Sequence, residues 1–134
     1  MPAQPVAKMG DTITAMDTHI VMVPSPGGAV PTPTPGHPFN GIIGGSLSSN
    51  VFVGGMAVAM VNSTANNQPP HIPIGGPSFQ VPPTNQGTIT MGSTTVLVNG
   101  LGIARNGDPA RTCDDVNPAP VGQVVASGTV FAGG

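Results

Sequence analysis

The chain has 134 residues, enough for one domain with a buried core, and a net charge of −2 with Lys8, Arg105 and Arg111 as its only basic residues. Three cations, no Trp or Tyr and four Phe exclude a nucleic-acid binder, which needs a dense basic face and stacking platforms. Twenty Gly and 17 Pro disfavour helix almost everywhere, while a charged fraction of only 6% argues against an extended disordered chain. What they leave is a body of short strands joined by many turns.

The start, "MPAQPVAKMG", lacks the apolar run of a secretory signal, and nowhere do the ~20 apolar residues of a membrane span occur together. The expectation is synthesis in the cytoplasm, with any export by a route that needs no cleaved signal. Residues 5–11, "PVAKMGD", form a short apolar segment ending in Gly-Asp. His19 follows, then a Pro-rich connection over 23–42, "VPSPGGAVPTPTPGHPFNGI", which contains His37. Proline fixes φ, so this connection and a second one at 69–87, "PPHIPIGGPSFQVPPTNQG" with His71, are expected to be stiff loops wrapping the body.

Between and after these connections the chain repeats itself. "VFVGGMAVAMVNS" at 51–63 aligns without a gap on "VLVNGLGIARNGD" at 96–108, so that Val51, Val53, Gly55 and Ala59 meet Val96, Val98, Gly100 and Ala104. Each reads as a β-hairpin turning at 54–55 or 99–100. The N-terminal "PVAKMGD" matches "GIARNGD" at 102–108, and the C-terminal "SGTVFAGG" at 127–134 matches "SSNVFVGG" at 48–55. The chain thus begins with the second half of a repeat and ends with the first half. Pairing of those ends predicts a single all-β domain over 1–134, a compact pseudo-threefold body of hairpin repeats with long Pro/Gly-rich loops. Its units are 5–11 plus 127–134, 48–63 and 93–108. Closure would also remove open sheet edges.

With Asp11, Ser63 and Asp108 as a shared origin, His19 and His71 each lie eight residues on and Cys113 five. Three equivalent loops then deliver one good metal ligand each, and His37 can supply a fourth. Three imidazoles and one thiolate suit a closed tetrahedral zinc site, one structural Zn2+ per chain held by His19, His37, His71 and Cys113. Asp114 and Asp115 adjoin Cys113 and could support the metal ligands from behind, but a solvated loop is the favoured reading.

"PVAKMGD", "GIARNGD", "GSTTVLVNG" and "SGTVFAGG" resemble the motif and strand-turn unit of the proline-alanine-alanine-arginine (PAAR) family. "THIVMVPSPGGAVPTPTPGHPFNGI" looks like a PAAR-like subgroup with a long first loop. The middle unit departs from the pattern, with Asn62-Ser63 where Gly-Asp is expected. The resemblance implies a non-enzymatic tip of a type VI secretion or related contractile injection system. Such a tip is a small β cone with a zinc-pinned point, which caps a trimeric β-helical spike protein (VgrG-like) at one copy per trimer and helps to pierce the target envelope. It would touch the target membrane transiently and could carry effector proteins. Other readings are a small zinc metalloenzyme and a metal-free β adaptor. The first would need an open metal position and a carboxylate base, and the chain has no Glu, only five Asp.

Overall fold

The computed structural model describes residues 3–115 and 119–134. Among them there is no helix, and so none long and apolar enough to cross a membrane. In chain order the strands are β1 (Gln4–Pro5), β2 (Thr12–Val23), β3 (Val30–Gly45), β4 (Phe52–Val53), β5 (Met56–Ala57), β6 (Thr64–Asn67) and β7 (Ser78–Phe79). They continue with β8 (Gln86–Ile89), β9 (Leu97–Val98), β10 (Leu101–Gly102), β11 (Pro109–Arg111), β12 (Gly122–Val125) and β13 (Phe131–Ala132).

Two short hairpins form where the turn residues demand them. β4 pairs with β5 across Gly54 (φ 60°) and Gly55 (φ 82°), and β9 with β10 across Asn99 (φ 53°) and Gly100 (φ 83°). Positive φ at both central residues gives a turn whose twist matches that of the strands, and only Gly and Asn adopt it cheaply. The first and last strands are partners as well: β1 lies antiparallel to β13, with Gln4 opposite Ala132.

The larger sheet closes on itself through antiparallel pairings in the order β2, β3, β6, β8, β11, β12 and back to β2. Inside it the same hydrogen bonds recur three times. Ala7 N–H donates to Ala104 O (2.8 Å), Ala104 N–H to Ala59 O (3.0 Å), and Ala59 N–H to Ala7 O (3.0 Å), a ring of three buried alanines. Each ring segment ends in the same turn: Lys8 N–H donates to Asp11 Oδ2, Met60 N–H to Ser63 Oγ, and Arg105 N–H to Asp108 Oδ2. Asn62, at φ 79°, takes the left-handed place held by Gly10 and Gly107, so Asn-Ser builds the turn that Gly-Asp builds elsewhere. One core cluster (Val6, Val58, Val98, Ile103, Ala132) lies on the hairpin side of the ring. The other joins the alanines to Ile13, Ile43, Ile89, Val124 and Cys113.

The first Pro-rich connection is not a loop. Most of it is β3, the longest strand, paired with β2 from Val23/Val30 down to Thr12/Ile42. Proline is tolerated in a strand only where its missing N–H would face away from the partner. Ile20 O accepts from Gln80 N–H on the β7 side, so His19, Val21 and Val23 face β3, where they meet Thr34, Thr32 and Val30. Pro31 and Pro33 therefore turn their nitrogens to the free edge, which carries no donor at either position. This is how an exposed edge is blunted against strand addition. Restoring two donors with Pro31→Val plus Pro33→Val should produce concentration-dependent self-association in sedimentation velocity. An unchanged sedimentation coefficient at all concentrations would count against the edge argument.

Candidate metal centre

Four buried donors converge from three segments: Asp17 and His19 on β2, His71 in the connection between β6 and β7, and Cys113 just after β11. Their ligand atoms all lie within 4.8 Å of one another. His19 Nε2 is 2.9 Å from His71 Nδ1, and Cys113 Sγ is 3.7 Å and 3.6 Å from those two nitrogens. These spans suit N and S donors sharing one ion at about 2.0–2.3 Å.

Their outer partners fix the tautomers. His19 Nδ1 donates to the Asp115 carboxylate (3.3 Å) and His71 Nε2 to the Pro38 carbonyl (3.0 Å). Both partners are acceptors only, so each ring proton sits on the outer nitrogen and the two inner nitrogens face each other with lone pairs. Lone pairs 2.9 Å apart repel unless a cation lies between them. An outward N–H bonded to a carboxylate or carbonyl is also the usual support of a metal-bound imidazole.

Electrostatics point the same way. Burial, reinforced by His19, lowers the pKa of His71, so its imidazole is neutral and free to donate a lone pair at neutral pH. Burial and then the Asp17 charge push the Cys113 thiol up to about 12, a condition that a bound dication reverses by stabilising the thiolate. Burial also raises the pKa of Asp17, and the hydroxyl of Thr112, which donates to its Oδ1, partly offsets that.

Of the residues singled out from sequence, His19, His71 and Cys113 come together. The His37 ring stands beside them, its centroid 5.2 Å from that of His19 and 5.9 Å from that of His71. Its Nδ1 donates to Thr34 O (3.1 Å), and its Nε2 accepts from Ile74 N–H (3.3 Å). Burial, then His19, lowers its pKa too. A register shift sets it there: Asp17 faces His37 but His19 faces Thr34, so β3 carries one extra residue, next to Gly36 at φ 90°.

Sequence reasoning missed Asp17. The available signal was its place two residues before His19, which in a strand puts both side chains on one face. For Asp114 and Asp115 the structure favours the supporting role over the solvated loop. Asp114 Oδ1 accepts from Thr18 N–H (2.6 Å), and Asp115 Oδ2 accepts from Ile20 N–H (3.1 Å) as well as from His19. These acids strap the Cys113 loop to β2 instead of standing free in water.

Among curated proteins and among solved structures, nothing matches this chain. A family match does occur, to the PAAR motif, over residues 79–134. The matched stretch runs from the end of β7 through β13 and holds Cys113, while Asp17, His19 and His71 lie outside it. Residues 79–134, less than half of the chain, are thus similar to the PAAR motif family, whose members are structural, non-catalytic components.

Proposed function

We propose that the protein is the zinc-bearing tip of a contractile injection system of the type VI secretion kind, seated on a trimeric β-helical spike and carried into the target envelope with it. The observation that carries this reading is the three-alanine ring, Ala7 to Ala104 to Ala59, with its three like turns. A single chain with three like sides can sit on a threefold shaft, as a pseudo-threefold cone would. The hairpin side offers the contact surface. Phe52, Leu97 and Phe131 occupy matching strand positions and are all more than half exposed, with Val51, Val96 and Val130 beside them. Apolar groups left in water on three like sides fit three like sites on a trimer.

On this reading the metal pins β2, the connection between β6 and β7 and the segment after β11 to one another. His19, His71 and Cys113 supply three donors to one Zn2+. His37 is the fourth donor proposed from the sequence, and Asp17 stands within reach of the same centre. Synthesis in the cytoplasm, delivery without a signal peptide, effector carriage and brief membrane contact belong to the same proposal.

Stoichiometry tests it. Native mass spectrometry of the protein mixed with its trimeric spike should find one copy per trimer. Three copies per trimer, or none, would refute the cap.

A further inference from the structure

We propose that Asp17 is the charge-balancing carboxylate of the metal centre, matching the pocket to a divalent cation. This rests on the metal-binding reading above. With the Cys113 thiolate, Asp17 brings two negative charges into the pocket, so one dication leaves it neutral.

The position of Asp17 is hard to account for otherwise. It is fully buried, on β2. Thr112 donates a hydrogen bond to its Oδ1, and its Oδ2 lies 3.6 Å from Cys113 Sγ and 3.7 Å from His71 Nε2. A buried carboxylate normally survives only with a cationic partner. No basic side chain serves here: Lys8 is paired with Asp11 (3.1 Å), Arg105 with Asp108 (2.9 Å), and Arg111 is exposed. His71 has already committed its Nε2 proton to Pro38 O. The other charged groups nearby are Asp114 and Asp115, which add negative potential. His37, opposite Asp17 on β3, has both ring nitrogens bonded to backbone, so each side chain that could neutralise Asp17 is engaged elsewhere or of like sign, and a bound cation is the partner that its charged form calls for.

Charge balance has a consequence that mere packing does not. Asp17→Asn keeps the shape and leaves one negative charge, the thiolate, which suits a soft monovalent ion. The affinities of purified wild type and Asp17→Asn for zinc(II) and for silver(I), a redox-inert soft monovalent probe, can be measured by chelator competition at one pH. Zinc affinity should fall about 10–100-fold, the usual cost of losing a supporting group at a metal site. Silver affinity should change less than about threefold, so the zinc-to-silver ratio drops at least about threefold. Thr112→Val disturbs the same pocket without altering its charge and should leave the ratio unchanged. Equal losses for both ions in Asp17→Asn, or no loss for either, would overturn the charge-balance role while leaving the metal site standing. Failure of the wild type to bind either ion would overturn the metal reading, and this inference with it.

Discussion

Replacing Cys113 by serine is expected to lower the melting temperature of the zinc-saturated protein by on the order of 10 °C and to remove the dependence of melting on added zinc. Serine fits the space of the largely buried cysteine, so packing changes little. Its hydroxyl does not ionise under conditions where a metal draws the proton from a thiol. An ion that binds only the folded state at about 1,000 times its dissociation constant stabilises by about 4 kcal/mol. For a domain of this size that is roughly 10 °C or more. The metal-free forms of wild type and Cys113→Ser should melt close together, which separates ligand loss from a packing defect. Calorimetry with and without chelator checks both statements. A variant that still gains the full wild-type increment from zinc would show that Cys113 is not a ligand.

Asp108→Ser is expected to cost about 3–5 kcal/mol, the range for a buried ion pair that loses one member. Arg105 is almost fully buried, and its Nε and Nη2 donate to Asp108 at 3.1 and 2.9 Å. Without the carboxylate the guanidinium keeps one partner, Gly133 O at 2.9 Å, and an unbalanced charge. The chain itself shows the repair. At the matching turn it carries Met60 and Ser63, with Met60 N–H bonded to Ser63 Oγ at 3.0 Å and no ion pair. Arg105→Met combined with Asp108→Ser copies that solution and should recover most of the loss in urea unfolding. A double variant as unstable as Asp108→Ser alone would mean that the two turns are not equivalent. Asp11→Ser should cost under about 1 kcal/mol, because the Lys8–Asp11 pair is partly open to water.

Much of the local structure is legible because its causes are local. Gly54-Gly55 and Asn99-Gly100 specify their turns through residues that tolerate positive φ. The lack of helix among the described residues follows from how seldom the chain goes ten residues without Gly or Pro. Offsets from Asp11, Ser63 and Asp108 pick out His19, His71 and Cys113, since like turns launch like loops. β3 was misjudged because proline density suggests a loop until the spacing is weighed. Pro31 and Pro33 are two residues apart, which in a strand places both nitrogens on one edge, and a strand can bear that on its unpaired side.

The donors at the metal centre mark the boundary between the two kinds of information. By itself the sequence determined the strand-and-turn character of the chain, its lack of a basic face and three of the side chains that meet. Only the tertiary structure decided that Asp17 joins them, that Asp115 and Pro38 hold the two imidazole protons outward, and that His37 stands beside the cluster with both nitrogens bonded to backbone. The reason is physical. Turn geometry is set within a few neighbouring residues, whereas burial and the sharing of one charge depend on segments 52 and 96 positions apart coming within hydrogen-bonding distance.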